Sequence, residues 1–192
     1  MIKYILASAS PRRREILANA GISFDIIVSD CEEVISKTIP EEMVKELAEI
    51  KCKDVCKKIS KELVSQYDDV IVIGADTMVF FDNYHMGKPK DEEDAFCMIK
   101  KIQNNTHNVI TGVCITSLAT GRINSFSETT TVHVREMSDD VIREYIKTGE
   151  GVDKAGSYAV QGIFSKYINR IEGDYFNVVG FPLCRFCQEI GM

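Results

Sequence analysis

The chain has 192 residues, 45% of them hydrophobic, and a net charge of −6. That is enough for one large domain, or two lobes sharing a core. It excludes a broad basic surface for nucleic acid, and no apolar run is long enough to span a bilayer. The apolar part of MIKYILASAS is too short for a secretory signal and leads into a charged helix, so a cytoplasmic protein is expected. The seven cysteines, Cys31, Cys52, Cys56, Cys97, Cys114, Cys184 and Cys187, are odd in number and scattered. This is unlike a secreted disulfide framework. Reduced, partly buried thiols are the reading; zinc held by Cys52, Cys56, Cys184 and Cys187 is the alternative.

From Lys3 to Leu17, KYILASASPRRREIL reads as strand, tight loop and helix start. Ser10 is placed to cap the helix through its hydroxyl, and Pro11 suits the first helical position. Free N–H groups, the positive dipole end, Ser8, Ser10 and three guanidiniums gather there, which suits an anion, phosphate above all. A capped surface helix with solvated arginines is the plain alternative. Successive helical residues are about 100° apart, so Arg12, Arg13 and Arg14 cannot all face one ligand.

Gly21 stops this helix, and SFDIIVSD reads as a second strand that delivers Asp30, Glu32 and Glu33 to a loop. Glu32 or Glu33 is a metal-ligand candidate, and a solvated acidic turn explains them equally well. A helix is expected from Pro40 to about Tyr67, continuous or with one break, and Leu47, Ile50, Val55, Ile59 and Leu63 form its inner stripe. The pattern does not single out Lys51 among Lys53, Lys57, Lys58 and Lys61. Val70 to Ile73 reads as a strand buried on both faces and central in the sheet. Asp76 interrupts the apolar run that follows. A carboxylate there is costly unless it is paired, metal-bound or poised for proton transfer; an acid bonded to nearby backbone is the alternative. Thr77 adds a hydroxyl on the same strand.

His85 to Pro89 reads as a loop that fixes Lys88 between Gly87 and Pro89. Asp91 caps a helix to about Ile102, with acids in its first turn and Lys100 and Lys101 in its last. His107 to Leu118 and Arg122 to Val134 read as hairpin strands, and Ser138 caps a helix that ends at Gly149. The glycines of GEGVDKAGSYAVQG imply close backbone approach. Gln161 there carries both donor and acceptor, as reading a base edge requires, though a loop glutamine needs no such role. The end gives a turn, a short extended piece and a last helix from about Pro182.

LASASPRRREIL, GADTMVFFD, GKPKDEEDAFCMI, THNVITGV, GEGVDKAGSYAVQG and GDYFNVVGFPL occur in an order that resembles the Maf proteins, from Leu6 to Leu183. That family comprises nucleoside triphosphate pyrophosphatases, also linked to cell-division arrest. The resemblance implies one Maf-like domain over residues 1–192. Its fold would be a mixed α/β one similar to inosine triphosphate pyrophosphatases, with an elongated sheet flanked by helices and two lobes around a deep cleft. It implies Asp76 as catalytic carboxylate, Arg12, Arg13, Lys51 and Lys88 on the phosphates, and Glu33 with Asp76 on a divalent metal, Mg²⁺ or Mn²⁺. Arg12, Thr77 and Gln161 resemble the branch that prefers dTTP and UTP. The expected reaction is hydrolysis of the α–β anhydride to monophosphate and pyrophosphate, with modified pyrimidine nucleotides as further substrates and a homodimer as the assembly. A non-catalytic nucleotide or nucleic-acid binder that regulates division is the competing reading. Cys52 stands where the family usually has alanine, and Phe181 where it has leucine. A thiol beside Lys51 would make the site sensitive to oxidation.

Overall fold

The structure, a computed structural model, describes every residue from Met1 to Met192. In chain order it contains β1 (Ile2–Leu6), α1 (Pro11–Asn19), β2 (Phe24–Ile26), α2 (Pro40–Lys58), α3 (Lys61–Ser65), β3 (Asp69–Phe81) and β4 (Tyr84–Met86). There follow α4 (Glu92–Ile102), β5 (Asn105–Ser117), β6 (Ile123–Val134), α5 (Asp139–Ile146), β7 (Ile168–Glu172), α6 (Tyr175–Val179) and α7 (Leu183–Glu189). Seven strands form one mixed sheet in the order β2-β1-β3-β5-β6-β7, with β4 paired to β3. β1 runs parallel to β2 and β3, whereas β4 and β7 are antiparallel to their neighbours. This is the expected mixed α/β architecture. No helix is long and apolar enough to cross a membrane. The chain divides into two compact units, and the divisions fall inside β3, β5 and β6 and at the end of α6.

The first unit comprises Met1–Thr77, Thr111–Glu128 and Gly180–Met192. Its core gathers Ile5 and Ala7 with Val70 and Val72 of β3, Cys114 of β5, and Ala48, Cys52 and Val55 of α2. Two glycines set the approach of α2. A Cβ on Gly74 would lie 2.2 Å from the Ala48 carbonyl oxygen, and one on Gly112 would lie 2.3 Å from that of Val44. The helix backbone therefore lies directly on the two strands. This rotates the buried stripe to Val44, Leu47, Ala48, Cys52 and Val55. Ile50, Ile59 and Leu63, expected in the stripe, are only half-buried. The helix breaks after Lys58, and Ser60 caps α3 by accepting from the Leu63 N–H at 3.2 Å. The second strand is shorter than expected, three residues instead of eight.

The expected oxidation sensitivity at Cys52 does not hold. Its thiol is fully buried, 3.2 Å from the Val72 carbonyl oxygen and 3.3 Å from the Thr116 hydroxyl, within the core and not beside the Lys51 ammonium. All seven cysteines are free, and no group of three or more His, Cys, Asp or Glu side chains is arranged to hold a metal ion.

The second unit comprises Met78–Ile110 and Thr129–Val179. Ile99, Ile102, Val132, Ile142, Tyr158 and Phe164 lie at the centre of its core. Asp91 caps α4 by accepting from the Asp94 N–H at 2.8 Å, and Ser138 caps α5 through the Val141 N–H. The glycine-rich stretch approaches its own chain. A Cβ on Gly151 would lie 2.1 Å from the Ser157 carbonyl oxygen, and one on Gly162 would lie 2.2 Å from the Glu150 carboxylate. Two local expectations are corrected. Tyr84–Met86 is a strand, not a loop, because Asp82 and Asn83 both adopt positive φ and turn the chain back onto β3. Residues 175–179 are helical, not extended: the Asp174 carboxylate accepts from the Phe176 N–H at 2.7 Å, and the buried Asn177 amide donates to Val109 O and Thr130 Oγ1.

His107 of β5 is buried, with Nε2 2.7 Å from the Tyr158 hydroxyl and Nδ1 unpartnered. Burial, with the charge of His133, pushes its pKa down to about 4. The unfolded chain takes up this proton near pH 6.5, while the folded chain resists until about pH 4. The contribution to stability is thus complete above about pH 6.5 and falls as pH drops towards 4, by about 3 kcal/mol in all. Urea unfolding at pH 7, 5.5 and 4.5 should show this loss, and His107→Gln should flatten it. An unchanged pH slope in the variant would assign the loss to other groups.

Candidate active site

The loop after β1 and the start of α1 fold as the sequence implies. Ser10 has extended backbone and caps α1, its hydroxyl accepting from the Arg13 N–H at 3.5 Å, with Pro11 in the first turn. The three arginines then diverge. Arg14 donates to the Ala9 carbonyl oxygen at 2.5 Å. Arg12 is half-buried and makes no hydrogen bond or ion pair with the protein. Arg13 turns inward and is 8% exposed. Its Nε donates to Gly180 O at 2.9 Å, Nη1 to Ser8 Oγ at 3.1 Å and Nη2 to Thr77 Oγ1 at 3.1 Å. Burial pushes the guanidinium below its ordinary pKa, and attraction by Asp76 and Glu33 opposes this.

Arg13 therefore joins the first loop, β3 and the segment before α7. Ser8, buried in the same network, also accepts from the Ser10 N–H at 3.2 Å. Thr77 Oγ1 lies 2.9 Å from Thr111 Oγ1 and 3.3 Å from Gly180 O. Its hydroxyl is thus engaged by three protein groups, and the geometry makes it a strut beside Asp76. Thr111 and the Gly180 carbonyl were not foreseen in these roles. The available signals were a hydroxyl within the apolar run Val109 to Val113, and a glycine that here takes φ 129°.

Asp76 lies between Ala75 and Thr77 on β3, with its side chain only 16% exposed. Its charge is met by Lys51 of α2, whose Nζ lies 2.5 Å from Asp76 Oδ1 and 3.2 Å from Glu33 Oε1. The Lys51 side chain is 14% exposed, whereas that of Glu33 is 47% exposed on the loop after β2. One cation thus bridges two acids separated by 43 positions in the chain, and Arg13 lies within electrostatic reach of both. Ser8, Ser10, Arg12, Arg13, Glu33, Lys51, Asp76 and Thr77 all belong to the first unit. Lys88 and Gln161 belong to the second. Lys88 is exposed on the loop after β4, and Gln161 is exposed in the turn before Gly162.

The donor set suits Mg²⁺ or Mn²⁺ in one particular way. Two carboxylate oxygens converge on one ammonium, so their geometry already accepts a shared cation. No third carboxylate, imidazole or thiol completes an all-protein cage. Mg²⁺ commonly keeps its waters and is held by one or two carboxylates together with substrate phosphates. Asp76 and Glu33 meet that requirement.

The Arg13 network generates a stability prediction. Arg13→Ala removes three hydrogen bonds at once, to Ser8, Thr77 and Gly180, and leaves each of these buried or half-buried groups one donor short; hydrogen bonds from a charged group contribute about 1.5–3 kcal/mol each. Urea denaturation should show a loss of about 2–4 kcal/mol, with Arg13→Lys recovering little of it because a single ammonium nitrogen cannot reach the three acceptors that the guanidinium meets through Nε, Nη1 and Nη2. A loss below about 0.5 kcal/mol, the size usual for surface substitutions, would show that the three segments hold together without it.

The family model described as Maf-like protein matches residues 3–191. A dTTP/UTP pyrophosphatase of Thermoanaerobacter sp. (strain X514) is 44% identical over 184 residues, covering 96% of this chain and 93% of its own. One of Lachnoclostridium phytofermentans is 43% identical, covering 99% of this chain and 94% of its own. One of Caldicellulosiruptor saccharolyticus is 44% identical, covering 100% and 96%. Matched by that family model over residues 3–191 and by such relatives over nearly its whole length, the chain belongs to the Maf family.

Proposed function

We propose that this chain is a nucleoside triphosphate pyrophosphatase that hydrolyses dTTP and UTP to the monophosphate and pyrophosphate. The relatives bearing that activity in their names align with it over nearly its whole length. The observation that carries the mechanism is Asp76, an acid in the largely apolar interior of β3 that is paired with Lys51 and within electrostatic reach of Arg13. A site that only bound anions would gain nothing from a carboxylate facing phosphates. A hydrolase needs one.

Arg12, with no protein partner, and the N-terminus of α1 receive the polyphosphate. Arg13 and Thr77 hold the first loop and β3 in register, so that Asp76 is presented with fixed geometry. Asp76 orients the attacking water and accepts its proton. Glu33 and Asp76 would hold a divalent ion, which supplies a Lewis acid for phosphate oxygens. Lys51 and Lys88 add positive charge for the pyrophosphate that leaves, and that stabilisation provides much of the acceleration. Gln161 reads the edge of uracil or thymine through its paired donor and acceptor.

Asp76→Asn should lower kcat for dTTP by roughly 10²–10⁴, the range for lost acid–base catalysis. Turnover close to that of the unaltered chain would remove Asp76 from this role. Gln161→Ala should narrow the ratio of kcat/KM between UTP and other triphosphates more than it slows UTP itself. An unchanged ratio across the nucleotide panel would take base selection away from Gln161.

A further inference from the structure

Four charges meet around Asp76, and they cancel. Glu33 and Asp76 contribute two negative charges, and Lys51 and Arg13 two positive ones. Arg13 is fixed by its three bonds to Gly180, Ser8 and Thr77. Lys51 is different. Its ammonium is held only by Asp76 and Glu33, at the end of a four-carbon stem, and Glu33 is carried on an exposed loop. The two carboxylates proposed to share a divalent ion are thus already sharing a monovalent one. A divalent ion seated between the two carboxylates would lie within a few ångströms of the ammonium that now takes Asp76 Oδ1 and Glu33 Oε1, and two cations that close repel strongly.

We infer that Lys51 is an exchangeable latch: its ammonium holds Glu33 and Asp76 together before substrate arrives, and yields both carboxylates to the divalent cation that enters with the nucleotide. The inference rests on the pyrophosphatase reading. The charge count supports the order of events. A divalent ion alone would leave the group with two excess positive charges, whereas a triphosphate carries about four negative charges near neutral pH and offsets them. Metal and nucleotide therefore load together, and metal alone binds weakly. Once released, Lys51 turns its charge from the carboxylates to the phosphates. One side chain serves both the resting and the loaded site, and a cation in the resting site stops Glu33 and Asp76 from repelling each other.

The test is Mn²⁺ binding to the full chain without nucleotide, measured by the electron paramagnetic resonance signal of free Mn²⁺. Lys51→Met keeps the stem and removes the ammonium, and should bind Mn²⁺ roughly tenfold or more tightly than the unaltered chain. Adding Asp76→Asn should abolish the gain. Equal or weaker binding in Lys51→Met overturns the latch. A measurement on the unaltered chain guards against a misfolded variant: an amine-acylating reagent, read by peptide mass spectrometry, should modify Lys51 faster when saturating Mn²⁺ is present. An unchanged rate at Lys51 overturns the latch as well. Pyrophosphate release from dTTP, followed in the same preparations, separates the two claims. Release by the unaltered chain with no gain in Lys51→Met defeats the latch and leaves the pyrophosphatase standing; absence of release defeats the pyrophosphatase.

Discussion

Helix α2 touches the sheet backbone to backbone, and the first unit depends on that contact. Gly74 and Gly112 have no room for a Cβ because the Ala48 and Val44 carbonyls occupy the space. The small and apolar residues Val44, Ala48 and Cys52 repeat every fourth position on the face that lies there. Such contact leaves little freedom in rotation or translation. It directs Lys51, one position from Cys52, towards the strand residue two places after Gly74, which is Asp76. The ion pair at the candidate site follows from a packing constraint whose participants carry no charge.

A second constraint is the use of Arg13 as an internal part. A guanidinium has five donors in a fixed fork, and three are used on the first loop, β3 and Gly180. This explains why a helix start with three consecutive arginines is economical. Arg13 ties the three segments together, Arg12 has no protein partner, and Arg14 closes on the Ala9 carbonyl. The angular argument from helix geometry required such a division without saying which arginine would turn inward. Only the fold decides that, because the acceptors come from residues 8, 77 and 180.

Much of the architecture was legible where the signal is local. The cap at Ser10, the caps at Asp91 and Ser138, the central strand at Val70 to Ile73 and the long hairpin of β5 and β6 all depend on nearby residues. Asp76 was legible as an acid out of place. Lys51 was not, since five lysines decorate the same stretch and the helix rotation is set by glycines more than 20 positions away. The stripe through Ile50, Ile59 and Leu63 failed for the same reason. Tyr84–Met86 was hidden because the turn residues Asp82 and Asn83 lack glycine, yet both accept positive φ. The helix at Tyr175–Val179 was hidden because its support, Thr130 and Val109, lies far away in the chain.

The account reduces to water attacking the phosphorus nearest the nucleoside, at a carboxylate held among fixed cations. Hydrolysis of dTTP in ¹⁸O-labelled water, with Mg²⁺ or Mn²⁺ and mass analysis of both products, tests this directly. The account predicts dTMP and pyrophosphate in equal amounts, with the label in dTMP only. Label in the pyrophosphate, formation of dTDP and orthophosphate, or no cleavage of any triphosphate would contradict it.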